Sequence, residues 1–184
     1  MVKRASDIQR TPLHKRRIEV QGFLREDKLW DIEALLFDTK AYPLDLPDPG
    51  VNCVEVGKPL HDMTLTITVD DDLLIVDAYA KMMATPYLDC PNAANIYENL
   101  IGIRIGKGWI NEVRQALQRN HACTHLTEML PVLATAAFQT IRGYHLNFTE
   151  GFAASASEKR THLDTCYGFR TGGRADTIVW KNVD

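Results

Sequence analysis

The hydrophobic period changes once along this chain, from two in its first half to 3.6 in its second, and that change restricts the fold more than any other feature. Between Arg17 and Lys40, Ile18, Val20 and Leu24 fall on one side and Glu19, Gln21 and Arg25 mostly on the other, until Glu26-Asp27-Lys28 interrupts. Trp30, Ile32, Ala34 and Leu36 then share one parity while Asp31 and Glu33 take the other. Two strands joined as a hairpin, each with a largely polar outer face, are the expected result. Ala41 to Leu60 carries Pro43, Pro47, Pro49 and Pro59 with Gly50 and Gly57, and reads as a loop that ends beside His61. Met63, Leu65, Ile67 and Val69 alternate with threonines, Asp70-Asp71-Asp72 supplies a turn, and Leu74, Val76, Ala78, Ala80 and Met82 answer. The first half is therefore predicted to be an antiparallel meander of about four strands.

The second half reads as helices. Ala93, Ile96, Tyr97, Leu100 and Ile101 lie on one helical face, with Pro91 suited to the first helical position and Cys90 at its N-cap. Beyond a Gly102 to Gly108 connector, Ile110, Val113, Ala116 and Leu117 describe a short helix that stops near Asn120. Leu126, Leu130, Leu133, Ala134, Ala137, Phe138 and Ile141 describe a third, which Pro131 is expected to kink or restart. Past Gly143 the pattern weakens, and Gly172-Gly173 between Tyr167-Gly168-Phe169 and Thr177-Ile178-Val179-Trp180 suggests a final hairpin. Strands followed by helices give an α+β class: a meander, then three helices packed on one face, then the C-terminal hairpin.

With 184 residues, one α+β domain over residues 17–184 is expected, and a chain of this length removes about 70% of its unfolded surface from water. Residues 1–16 read as a basic, partly disordered arm, since Lys3, Arg4, Arg10, Lys15 and Arg16 face only Asp7. The arm lacks interleaved aromatics, so nucleic acid is not an expected partner. Four widely spaced cysteines, Cys53, Cys90, Cys123 and Cys166, and the lack of an apolar leader point to reduced thiols and a cytoplasmic location. No run is long enough for a membrane span.

His121-Ala-Cys123-Thr-His125-Leu-Thr-Glu128 places imidazole, thiolate and carboxylate at the start of the third helix. Cys90 and Cys123 both stand at predicted helix starts, where free N–H groups and the dipole favour a thiolate. A cysteine that simply fits a tight helix start is the plain alternative. His61-Asp62, at the rim of the sheet, could hold a metal or act as base and orienter, or merely cap a loop. His125 and Glu128 share a helical face and could be a ligand and its supporting acceptor, or a surface pair. His121 lies a turn earlier and is expected to be exposed; Cys166 stands apart. There is no C-x-x-C pair, Walker-type loop or nucleophile elbow, and Asp70-Asp71-Asp72 lacks the alternation of a calcium loop.

Two resemblances follow from these residues. Leu29-Trp30-Asp31-Ile32-Glu33, Asp38-Thr39-Lys40, His61-Asp62-Met63, Cys90-Pro91, Gly108-Trp109 and Cys123-Thr124-His125-Leu126-Thr127-Glu128 resemble the signature of an uncharacterised bacterial domain family, from roughly Arg17 to Ile141. Near its end that family tends to have a cysteine followed by histidine; here Cys166 is followed by Tyr167. More distantly, the order His61-Asp62, Cys90, Cys123 around a strand-turn-strand resembles the U-type iron–sulfur cluster scaffolds (NifU/SufE-like). That resemblance implies a metal site, with His61 standing where the scaffolds have a cysteine.

The leading expectation is accordingly a protein binding zinc or iron through His61, Asp62, Cys90, Cys123 and His125. The alternative is a small cofactor-independent enzyme (an isomerase, lyase or hydrolase) acting on an apolar metabolite, with His61, Asp62, Cys123 and His125 as its acid–base and nucleophilic groups. A third is that the helices form a partner-binding surface and the cysteines merely pack. A small-molecule or metal-delivery partner and a homo-oligomer are the expected associations.

Overall fold

The two alternating runs at the start of the chain pair as an antiparallel hairpin, β1 (His14–Leu24) with β2 (Trp30–Lys40). Its turn is closed by the Arg25 N–H donating to the Leu29 carbonyl, with Lys28 in the left-handed region at φ 68°. The computed structural model describes residues 8–51, 53–118, 120–148 and 162–183. They fall in two compact units, Met1–Ile141 and Arg142–Asp184. β1 begins at His14, so Lys15 and Arg16 lie in the sheet; residues 1–7 of the basic arm lie outside the described residues.

The proline-rich loop holds a two-residue ribbon, β3 (Leu44–Asp45) and β4 (Cys53–Val54). β5 (Pro59–Val69) and β6 (Ile75–Ala84) complete one sheet in the order β1-β2-β5-β6, every neighbour antiparallel. Asp70 makes the β5–β6 turn as expected, its Oδ1 accepting from the N–H groups of Asp72 and Leu74. The Gly102 to Gly108 stretch is a connector laid along β6, where the Ile75 N–H donates to the Ile103 carbonyl and the Ile75 carbonyl accepts from the Gly102 N–H. The α+β class is therefore as expected, a four-stranded antiparallel sheet followed by helices.

The two central strands show why one face of the sheet is core. Register sets Trp30 against Val69, Ile32 against Ile67, Ala34 against Leu65 and Leu36 against Met63. All eight are buried. The intervening positions face the other way and carry Asp31, Glu33, Thr64, Thr66 and Thr68. Thr68 Oγ1 donates to Asp31 there at 2.7 Å.

The helical half departs from expectation at its beginning. Two short 3-10 segments, Cys90–Ala93 and Asn95–Leu100, replace the first helix. Pro91 and the Asn92/Asn95 pair favour turns over a regular helix, and only Tyr97 and Leu100 bury fully. α1 (Trp109–Leu117) and α2 (Thr124–Phe148) form where the periodicity placed them, and α2 runs unbroken through Pro131. Its ring stack of His125 on His61 lies near one end of the sheet. Near the other end α2 passes so close to Gly22 of β1 that a Cβ there would collide with the Thr140 side chain. Fifteen helical residues advance about 22 Å, and the six strand residues from Arg16 to Gly22 about 20 Å, so the helix spans the core face diagonally.

In the second unit the expected C-terminal hairpin is absent from the described residues. A 3-10 turn (Tyr167–Phe169) and a short helix, α3 (Arg174–Val179), take its place. Gly172-Gly173 opens that helix instead of closing a strand turn, because the Asp176 carboxylate accepts from the Gly172 N–H. His162, Phe169 and Trp180 cluster their rings, with centroids 5.6 Å apart for the two Phe169 contacts.

Candidate metal centre

The buried stripe of β2 does not end at Leu36. The next residue of the same parity is Asp38, 1% exposed, and register sets it opposite His61 of β5, 6% exposed, and opposite Arg16 of β1. Three strands thus place an arginine, an aspartate and a histidine in one row at the end of an otherwise apolar core face. Arg16 grips Asp38 with both arms of its fork, Nε to Oδ1 at 2.9 Å and Nη2 to Oδ2 at 2.7 Å. His61 Nδ1 lies 3.0 Å from Asp38 Oδ2. Burial alone would raise the Asp38 carboxyl, but its bonds to Arg16 and His61 outweigh burial and hold it below the usual carboxylate range. Asp38 is therefore an ionised acceptor, so His61 carries its proton on Nδ1 and presents a lone pair at Nε2.

His125 joins from α2. Its ring stacks on that of His61 with centroids 3.9 Å apart and planes tilted by 38°. Nitrogen or oxygen atoms of Asp38, His61 and His125 all lie within 4.8 Å of one another. Both imidazoles are held below the ordinary histidine value, first by burial, then for His61 by the neighbouring His125 and for His125 by Arg16. Neutral rings at pH 7 are what metal coordination needs. Two imidazoles and one carboxylate form the donor set that suits non-haem iron, and zinc accepts the same atoms.

Cys123 precedes α2, and its Sγ lies 3.9 Å from His125 Nδ1. The Tyr97 hydroxyl and Thr127 Oγ1 both donate to the Cys123 carbonyl, at 2.7 and 2.9 Å, which fixes the turn that carries the thiol. Glu128 is exposed and binds Arg16 Nη1 at 3.2 Å, so it supports the site through the arginine and not through His125. His121 is exposed as expected.

Of the residues selected from sequence, the structure brings His61 and His125 together and sets Cys123 beside His125. It turns Asp62 away: adjacent strand residues point to opposite faces, so His61-Asp62 is not a base and its orienter, and Asp38 fills that position instead. Cys90 stands outside the converging group. Its short 3-10 segment lacks the dipole of a long helix, and burial pushes its thiol up. Cys166 is exposed in the second unit. An open groove of about 220 Å³ lies on the opposite face of the sheet, lined by Glu33, Thr64, Thr66, Tyr79, Lys81 and Met83, and holds none of the site residues.

A family model described as a protein of unknown function (DUF2889) matches residues 14–139. The chain belongs to this family. The matched stretch opens at His14 on β1 and includes Arg16, Asp38, His61, Cys123, His125 and Glu128, so the whole site lies within the family domain. No curated protein and no solved structure matches the chain. The likeness to U-type iron–sulfur scaffolds thus finds no support, and the case for a metal rests on the geometry. Among the described residues no helix is long and apolar enough to cross a membrane.

Proposed function

We propose that this DUF2889 domain binds one divalent transition metal ion, iron or zinc, through Asp38, His61 and His125, with Cys123 the nearest further donor on the His125 side. The observation that carries this reading is the convergence of a buried carboxylate, a buried imidazole and a half-buried one within 4.8 Å, at the end of a core face that is apolar elsewhere. Burying such groups costs free energy unless they are paired or bind a ligand. Donors around an ion at 2.0–2.2 Å stand about 3.3–3.5 Å apart, so small side-chain rotations bring the three into range. The test is metal analysis of protein purified without chelator under low oxygen, followed by calorimetric titration of the stripped protein with Zn²⁺ and Fe²⁺. Near-stoichiometric metal, lost in His61→Ala and His125→Ala, is the expected result; metal-free protein that ignores both ions would sink the reading.

One observation favours a second reading. Asp38 accepting from His61 Nδ1 is also the arrangement of an orienting carboxylate and a general base, which needs no metal. Under that reading His61 Nε2 removes a proton from a bound metabolite and Cys123 or His125 returns one. Full activity of chelator-treated protein, once a substrate is found, would separate the two. A cytoplasmic location, a homo-oligomer and a delivery partner for the ion complete the proposal.

A further inference from the structure

Among the described residues Arg16 is the one permanent cation bonded to Asp38, and the ion would take over part of its work. We infer that the metal centre also binds a small oxyanion, a carboxylate or phosphate group, gripped by Arg16 once the ion has engaged Asp38; this deepens the metal reading and rests on it. Without metal, the Nε and Nη2 arms of Arg16 neutralise Asp38 in the bidentate geometry that guanidinium groups use for planar oxyanions. Nη1 is tethered separately to Glu128 on α2, so Arg16 stays at the site when Asp38 turns to an ion.

Two further observations point to an anion at this place. His14 Nε2 lies 3.7 Å from Asp38 Oδ1, and Lys40 faces His14 in register on the side of the sheet where Asp38 lies, so the rim is basic. The first intrahelical bond of α2 runs from the Thr127 N–H to the Cys123 carbonyl. The N–H groups of Thr124, His125 and Leu126 have no acceptor among the described residues, and no acid stands in the first turn. The His61 ring makes its one hydrogen bond at Nδ1 among the described residues, so its Nε2 lone pair is left for the ion and not for the anion. A divalent ion added to this set leaves a surplus of positive charge, and three protein donors leave coordination positions open for an oxygen ligand.

The experiment uses the full chain loaded with Co²⁺, whose visible absorption reports both occupancy and coordination. Uptake of one equivalent, lost in His61→Ala, establishes the metal; no uptake sinks the metal reading and this inference with it. Acetate and methyl phosphate are then titrated separately, with acetamide as the neutral counterpart of acetate. A saturable spectral shift with at least one anion and none with acetamide is expected, and the anion that responds identifies the class. Arg16→Gln should weaken the anion by about tenfold or more, with Arg16→Lys between the two. Glu128→Gln, at an exposed position, keeps an amide oxygen that can accept from Nη1 but removes a negative charge beside Arg16, so it should tighten the anion severalfold, and it carries the test if Arg16→Gln does not fold. By linkage, the anion should raise Co²⁺ affinity by the same factor that Co²⁺ raises anion affinity. Cobalt uptake with no response to either anion, or equal responses to acetate and acetamide, would overturn the inference and leave the metal reading standing.

Discussion

The core-facing stripe of β2 and β5 has two ends of opposite character. Four cross-strand rows, from Trp30/Val69 to Leu36/Met63, are apolar, whereas the fifth is Asp38/His61, extended by Arg16 on β1 and roofed by His125 from α2. Asp38 and His61 are buried like the apolar rows, whereas Arg16 is about one-third exposed and His125 half-buried. The same backbone alternation thus produces two kinds of interior: one where burial is itself the driving force, and one where burial must be offset by pairing. A fold needs the first; the second is where the proposed metal centre lies.

The largest expected effect tests that contrast directly. Asp38→Ala leaves Arg16 and the His61 N–H without their acceptor and should cost about 3–5 kcal/mol, toward the lower figure because Arg16 is about one-third exposed. Leu65→Ala, in the apolar part, should cost a comparable ~2–5 kcal/mol through its cavity. The two ends separate when the polar row is replaced whole. Arg16→Met, Asp38→Leu and His61→Leu together should return stability to near that of the native chain in urea unfolding, while all metal binding is lost. Persistent destabilisation of the triple variant would mean that the polar row is a structural requirement.

Next in size is the metal itself. His61→Ala and His125→Ala should each lower Zn²⁺ affinity by at least about 100-fold, more than the usual effect of losing a supporting group. Arg16→Gln should alter it far less, and titration calorimetry reads both. An equal loss in all three variants would make Arg16 part of the ligand scaffold.

Much of the fold could be read in the residues, and less of the site. The alternations from Ile18 to Met82 and the apolar positions of α1 and α2 are dictated by local geometry, and they appear as strands and helices where their periods placed them. Asp38 is absent from the donor set expected from sequence, yet it carries a signal. It continues the parity of Trp30, Ile32, Ala34 and Leu36, so an acid stands where the pattern demands a buried residue. Composition alone groups Arg16 with a basic arm, whereas its parity with Ile18 and Val20 puts it on the core side. Asp62 shows the converse, since proximity in sequence to His61 suggested a pair that strand geometry forbids. Which strand lies beside which, and therefore that Arg16, Asp38 and His61 form a row, is a property of sheet order and register that no local pattern carries.

A smaller effect should appear with pH. His61 and His125 are held below the ordinary histidine value of 6.5. Below about pH 6.5 the unfolded chain therefore takes up protons that the folded chain refuses, and stability should fall as pH drops through that value toward the lowered ones. Above it neither state is protonated at these rings, so stability should be flat. Urea midpoints between about pH 8 and pH 5 test this, and the triple variant, with His61 gone, should show a shallower slope. A rise in stability on acidification would show that the imidazoles are charged in the folded state.

The smallest effect concerns Cys90 against Cys123, two cysteines that the sequence places in similar settings. Cys90 opens a four-residue 3-10 segment outside the converging donors, while Cys123 leads into a 25-residue helix with its sulfur 3.9 Å from His125 Nδ1. Zinc and imidazole–thiolate bond lengths set the two donors of a shared ion about 3.5 Å apart, a few tenths of an ångström less than observed. Cys123→Ser should therefore weaken Zn²⁺ binding measurably, by about tenfold, the order expected of a neighbouring group. Cys90→Ala should leave it unchanged within the precision of the titration. A loss with Cys90→Ala equal to that with Cys123→Ser would mean that the 3-10 segment closes over the ion when it binds, and that the donor set is wider than the two-histidine, one-carboxylate group.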